Sequence, residues 1–297
     1  MNPVEAATRV EIKNVLFLTD FSPAAAAALP YAREVAKRFG AKVHALHVRG
    51  PAVNPMTDPN TWAALEKAAA IQRNGEIETL QKALSGMHPD VIVEEGEFWA
   101  TLESAVEKNA IDLIVLGTRG RSGIGKFLLG SVAEEVFRRA SCPVMTIGPF
   151  ADGEPPKASE FKKILFATDF TAESVGAAGY AISLAQEFQA HLTLLHVIRE
   201  AKPGDLVNQA ELASSSMRLL RTMIPRDAEL WCTPHFLVEQ GTPAEKILQI
   251  ARREETDLIV LGVRRHGGFP GASTHLPVAT DHKVVAHAGC AVLTVRS

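Results

Sequence analysis

One stretch of this chain is written twice. Val15-Leu16-Phe17-Leu18-Thr19-Asp20-Phe21 returns 149 residues later as Ile164-Leu165-Phe166-Ala167-Thr168-Asp169-Phe170, and Leu46-His47-Val48 returns at the same spacing as Leu195-His196-Val197. Asp112-Leu113-Ile114-Val115-Leu116-Gly117 comes back as Asp257-Leu258-Ile259-Val260-Leu261-Gly262, now 145 residues on. The four missing residues fall in the region where loops tolerate deletion. Cys142-Pro143-Val144 is echoed by Cys290-Ala291-Val292. A self-similarity of this length is the duplication of a whole domain. The 297 residues therefore divide into a first domain, 1–148, a linker, 149–160, and a second domain, 161–297. The linker, PFADGEPPKASE, is rich in Pro, Gly and charge and has no hydrophobic period.

Within the first copy, apolar runs alternate with amphipathic stretches. Val15 to Thr19 reads as a strand ending at Asp20. Ser22-Pro23 supplies an N-cap and first helical residue for a helix reaching Phe39-Gly40. Val43 to Val48 is a second strand, 62–84 a long helix, Val91 to Val93 a short third strand and 101–110 a helix. Leu113 to Leu116 is a strand buried on both faces, 132–140 a helix and Val144 to Ile147 a fifth strand. Alternation of this kind predicts an α/β fold: two tandem open-sheet domains, each a five-stranded parallel sheet with helices on both faces.

The chemistry concentrates between Asp112 and Val132. The strand ends at Gly117, a second glycine follows at Gly120, and Gly130-Ser131 opens the next amphipathic stretch. Ser131 with Glu134 three residues on predicts a capping box. Strand, glycine-rich loop and helix N-terminus together make a phosphate cradle, with Arg119, Arg121 and Lys126 as full charges beside it. A glycine-rich turn that binds nothing is the plain alternative. Gly120-x4-Gly125-Lys126 imitates a Walker A loop, but Phe127 stands where a Ser or Thr would hold magnesium, and the loop follows the fourth strand.

The spacing Gly117-x2-Gly120-x9-Gly130-Ser131 resembles the nucleotide-binding signature of the universal stress protein family, and the strand-end Asp20 and the Cys142-Pro143-Val144 opening sit where that family has them. The resemblance covers nearly the whole chain in two copies. It implies strand order 3-2-1-4-5, so that the reversal of strand order lies between strands one and four, where ligands of open sheets bind. It further implies an adenine nucleotide there: ATP, with or without Mg2+. Thr19 and Asp20 would meet the base or ribose, and Val48 the adenine through its backbone. The Gly117–Arg119–Gly120 turn and Gly130–Ser131–Val132 would hold the phosphates. Asp20 reads equally as a turn cap in Asp-Phe-Ser-Pro, and Val48 as plain core.

The second copy departs from this pattern. It keeps Asp169 and Gly262, but Arg265 replaces the second glycine. Counted from Gly262 the Gly-Ser pair falls at His275-Leu276, and counted back from Cys290 at Val278-Ala279. A side chain where backbone must approach phosphate blocks the approach, so one nucleotide site, in the first domain, is expected. The same segment holds His266, His275, His282 and His287 near Asp281, without HxxxH or CxxC spacing. Cys232-x2-His235 has no second half. No metal site is predicted. His47 and His196 read as hydrogen-bonded strand-end histidines.

A formal charge of −3 and 6% aromatics offer no basic or stacking surface for nucleic acid. No apolar stretch approaches a membrane span of about 20 residues. Three cysteines are too few for a disulfide scaffold, and a cytoplasmic location is expected. The loop offers cations but no general base, so dedicated catalysis is not expected and no catalytic residue is assigned. The reading is an ATP-binding stress or signalling protein. A nucleotide-free interaction scaffold and a slow ATP hydrolase are the alternatives. The family's single domains pair through the fifth strand; here the two repeats can satisfy that edge within one chain, and a further homodimer stays open.

Overall fold

The structure is a computed structural model and describes residues 10–50, 59–118, 130–148, 160–199, 209–225, 232–263 and 280–296. The first repeat runs β1 (Asn14–Leu18), α1 (Pro23–Phe39), β2 (Lys42–Arg49), α2 (Pro59–Ala83), β3 (Asp90–Glu95), α3 (Phe98–Lys108), β4 (Leu113–Gly117), α4 (Ser131–Arg139), β5 (Val144–Ile147). The second runs β6 (Lys163–Ala167), α5 (Ala172–Phe188), β7 (His191–Ile198), α6 (Gln209–Thr222), β8 (His235–Gln240), α7 (Pro243–Arg253), β9 (Leu258–Val263), α8 (Thr280–His287), β10 (Ala291–Arg296). The continuous apolar runs become strands because both faces of the sheet are covered, and β4 is buried from Leu113 to Leu116.

The ten strands of the described residues form one sheet, ordered β3-β2-β1-β4-β5-β10-β9-β6-β7-β8. Each half carries the expected order, and all pairs but one are parallel. The exception is β5 with β10, which run antiparallel with Val292 opposite Thr146 and Thr294 opposite Val144. Both threonines are buried, and their hydroxyls exchange symmetric bonds across the seam. Thr146 Oγ1 donates to the Val292 carbonyl and Thr294 Oγ1 to the Val144 carbonyl, each at 3.2 Å. A parallel half-sheet would end in an exposed edge at β5, and the second repeat covers it.

One face of the sheet has a core continuous across the seam, joining α1, α2, α5 and α6. Phe161 anchors it, its ring 5.8 Å from Tyr31 and 4.9 Å from Phe188. The other face is covered by α3 and α4 over the first repeat and by α7 and α8 over the second. Among the described residues no helix is long and apolar enough to cross a membrane.

Each repeat's first strand turns into its helix at a locked corner. Thr19 Oγ1 accepts from the Phe21 N–H at 3.0 Å, Asp20 Oδ1 from the Ser22 N–H at 2.9 Å, and Ser22 Oγ from the Ala25 N–H at 3.2 Å. These bonds hold Phe21 at φ 60°, a left-handed conformation that costs a non-glycine residue. The second repeat rebuilds the corner with Thr168, Asp169 and Thr171 around Phe170 at φ 61°.

Candidate functional site at the end of strands one and four

Parallel pairing of β1 with β4, in register at Phe17 and Val115, brings Thr19, Asp20, Gly117 and Thr118 to one end of the sheet. His47 on β2 points its Nδ1 at the Thr19 carbonyl, 2.8 Å away, and its ring meets Phe21 edge-on at 4.8 Å. His196 repeats the contact with the Thr168 carbonyl at 2.9 Å. Both histidines thus hold the end of the first strand, as the sequence suggested.

The chain leaves β4 at Thr118 and returns at Gly130, where the Gly130 N–H donates to the Thr118 carbonyl at 2.8 Å. That bond pinches the two ends of the intervening segment together and sets the N-terminus of α4 beside the end of β4. The first bond of α4 runs from the Glu134 N–H to the Gly130 carbonyl. The N–H groups of Ser131, Val132 and Ala133 precede it and point forward from the helix, as first-turn donors do. Ser131 and Val132 are exposed, while Val48 is half-buried on β2. Arg119, Gly120, Arg121, Gly125 and Lys126 lie outside the described residues.

One expectation is corrected. The capping box is not formed: Gly130 is the N-cap, with extended ψ of 146°, and Ser131 is the first helical residue without a side-chain cap bond. Glu134 instead faces Arg138 at 3.5 Å and, from the second repeat, His282 at 3.8 Å. The Gly130 N–H is already given to the Thr118 carbonyl.

Gly117 and Asp20 have structural tasks besides any ligand role. A Cβ on Gly117 would lie 2.4 Å from the Ala24 carbonyl oxygen and 2.9 Å from the Ala25 nitrogen, because the first turn of α1 rests on this position. Gly262 is the same place in the second repeat, 2.3 Å from the Glu173 oxygen. The turn-cap reading of Asp20 is therefore realised. The two features that survive in both repeats are those that the corner and the helix contact require.

Thr118 was not singled out from sequence. It is 3% exposed, and its Oγ1 is buried with no hydrogen-bond partner among the described residues. A polar residue directly after a buried strand's terminal glycine was the available signal. At the matching position the second repeat has Val263. An orphaned hydroxyl together with forward-pointing helix donors fits a polar, anionic group at this point of the first repeat.

In the second repeat the corresponding crevice is a cavity of about 330 Å3, walled by Leu195, Val197, Ile247 and Leu261 and reached by Asp169 and Asp281. His287 Nδ1 bonds within its own helix, to the Lys283 carbonyl at 2.9 Å. His266 and His275 lie outside the described residues, among which no three His, Cys, Asp or Glu side chains gather as metal ligands would. Burial pushes the thiols of Cys142 and Cys290 up to about 12, consistent with packing roles.

A duplicated open sheet with order 3-2-1-4-5, a locked Thr-Asp corner and a glycine-pinched helix start defines a tandem α/β protein with its candidate site at the strand-order reversal. The description "Universal stress protein family" matches residues 11–148 and again 160–296, and the chain belongs to that family. A universal stress protein of Methanocaldococcus jannaschii is 31% identical over 142 residues, 46% of this chain and 81% of the relative. One from Mycolicibacterium smegmatis is 24% identical over 271 residues, 86% of this chain and 89% of its own length. Among solved structures, a universal stress protein from Archaeoglobus fulgidus superposes with TM-score 0.69 at 23% identity, covering 95% of this chain and 98% of that one.

Proposed function

We propose that the first repeat binds one adenine nucleotide, ATP, alone or with Mg2+, and that the protein acts as a non-enzymatic stress or signalling sensor. The observation that carries the reading is the junction at Thr118 and Gly130. Its 2.8 Å bond sets the first turn of α4 beside the end of β4, where a buried hydroxyl has no partner among the described residues. Phosphates would meet the Ser131 and Val132 N–H groups and the Ser131 hydroxyl. The base would lie towards Thr19, Asp20 and Val48, and by the family's pattern Gly117, Arg119, Gly120 and Gly130 also serve the phosphates. Asp20 already accepts from the Ser22 N–H, which suits a binding carboxylate better than a general base. The free thiols of Cys142, Cys232 and Cys290 support a cytoplasmic setting.

Calorimetric titration with Mg-ATP tests this, beside a Gly120→Arg variant that imports the second repeat's residue. One site per chain, lost in Gly120→Arg, is expected. No heat at millimolar ATP, together with no nucleotide released on denaturation, refutes the nucleotide reading and leaves a scaffold. Two sites per chain refute the asymmetry.

A further inference from the structure

The helix that carries the candidate phosphate donors is held by the other repeat. At nine residues α4 falls short of the roughly 12–15 residues below which an isolated helix is marginal in water, so its first turn keeps its shape through tertiary contacts. Its buried face divides between two cores. Ala133, Val136 and Ala140 pack in the core of the first repeat, whereas Phe137 packs in that of the second, with Leu165, Val284, Val285 and Val292. Counted back from the Cys142/Cys290 pair, Val285 is the match of Phe137, and it stays in the core of its own repeat.

Contacts from the second repeat run the length of α4. In the first turn Glu134 faces His282 at 3.8 Å, and in the same count these two positions match, so the pair sits at the pseudo-twofold. Phe137 follows one turn on. At the far end, β10 runs antiparallel to β5 with Thr294 opposite Val144, so Arg296, two residues further, comes beside the turn from α4 into β5. Its guanidinium donates to the Phe137, Arg138 and Ala140 carbonyls, at the end where a helix leaves its carbonyls without intrahelical partners. The same group stands 5.9 Å from the centre of the Phe137 ring. Positive charge there complements the helix dipole, whose opposite end carries the Ser131 and Val132 N–H groups. An exposed ion pair such as Glu134–His282 contributes little, so the half-buried Arg296 is the main polar part of the grip.

We infer that the second repeat serves as a clamp on α4, and that Arg296 is a positioning residue for the nucleotide site of the first repeat. It touches no ligand, but it sets the helix whose first turn meets the phosphates. The inference rests on nucleotide binding by the first repeat. It gives the second repeat, whose sequence has lost the Gly-Ser pair, a task in its partner's site.

Titration of the whole chain with Mg-ATP and with adenosine tests it. Arg296→Ala should weaken Mg-ATP by about threefold to tenfold and leave adenosine, which has no phosphate, unchanged. Arg296→Lys keeps the charge but cannot span three carbonyls, and should lose less. In the ligand-free protein, amide exchange at Glu134, whose N–H makes the first bond of α4, should quicken in Arg296→Ala. Circular dichroism and melting establish that each variant is folded, and Arg296→Lys carries the test if Arg296→Ala is not. Unchanged ATP affinity in the folded variant, an equal loss for adenosine, or unaltered exchange at Glu134 overturns the clamp while the nucleotide site stands. If the parent chain itself binds no ATP, the nucleotide site has failed and the clamp falls with it.

Discussion

Replacing Gly117 by Ala adds one methyl group where the chain has room for none. The new Cβ would sit 2.4 Å from the Ala24 oxygen, 2.5 Å from the Ala24 carbonyl carbon and 2.9 Å from the Ala25 nitrogen. All three are backbone atoms in the first turn of α1, so no flexible side chain can yield. The turn must move by about 1 Å to restore ordinary contact distance, and overpacking of this kind costs about 1–3 kcal/mol. The site belongs at the upper end. Moving α1 also disturbs the Ser22–Ala25 cap bond and the Thr19-Asp20 corner that fixes Phe21 at φ 60°. A loss of about 3 kcal/mol is a large share of a domain's stability of about 5–15 kcal/mol, and at about 2–4 °C per kcal/mol it lowers the melting temperature by about 6–12 °C.

Gly262→Ala is the internal control. Its Cβ would approach the Glu173 oxygen and the Ser174 Cα to 2.3 Å, so the same penalty is expected in a repeat where no phosphate is proposed. Urea unfolding of the parent chain and both variants, with hydrogen exchange to assign the loss to α1 or α5, measures the effect. If Gly117→Ala leaves the unfolding midpoint unchanged but removes ATP binding, the glycine is there for the ligand and the packing argument fails.

Two further outcomes follow from contacts elsewhere. Arg296, at the end of β10, donates through its guanidinium to the Phe137, Arg138 and Ala140 carbonyls, the last at 3.4 Å; Arg296→Ala should destabilise the last turn of α4 by about 1–2 kcal/mol, visible as faster amide exchange there. If exchange in α4 is unchanged, the capping assignment is wrong. His44 is 2% exposed, and burial, helped by Lys42 and opposed by Asp90, holds its pKa below the ordinary value. The unfolded chain therefore binds this proton more readily: stability is full above about pH 6.5 and falls as pH drops below it towards the folded value. His44→Gln should flatten that part of the stability profile, and an unaltered profile would contradict the assignment.

The fold was legible because a domain repeat doubles every signal. Each strand's apolar run appears twice, and strand order was reached through the Gly117–Ser131 spacing. The corner around Asp20 was legible as turn chemistry too. The roles assigned to glycines were harder to read. Sequence marks Gly117 as permissive, but its need is space against α1, not a positive φ, and only three-dimensional contact shows that. The capping box failed for a related reason. Ser131-x2-Glu134 satisfies the pattern, yet the Gly130–Thr118 bond sets the helix one residue out of register with it. Thr118 was missed because an orphaned hydroxyl is defined by what does not surround it. The cross-sheet contacts of Arg296 and His282 join residues about 150 apart in sequence, where no local period reaches.

These distant contacts bear on why the two repeats differ. The C-terminal carbonyls of α4 receive a guanidinium from the other repeat, and the positive charge there complements the helix dipole whose opposite end faces the candidate phosphate position. Near that opposite end, Glu134 meets His282 from α8 at 3.8 Å. The pseudo-twofold does not return the favour. Gly148 stands where Arg296 would have its mate, and even a Cβ on it would come within 2.9 Å of the Ala288 carbonyl oxygen at the end of α8. An arginine cannot be accommodated there, and α8 carries Asp281 at its own N-terminus instead. Reversing one residue of each pair would not exchange the repeats, because each substitution is seated against a change in its partner. The asymmetry lies in the interface between the repeats as well as in the sequence that follows Gly117 and Gly262.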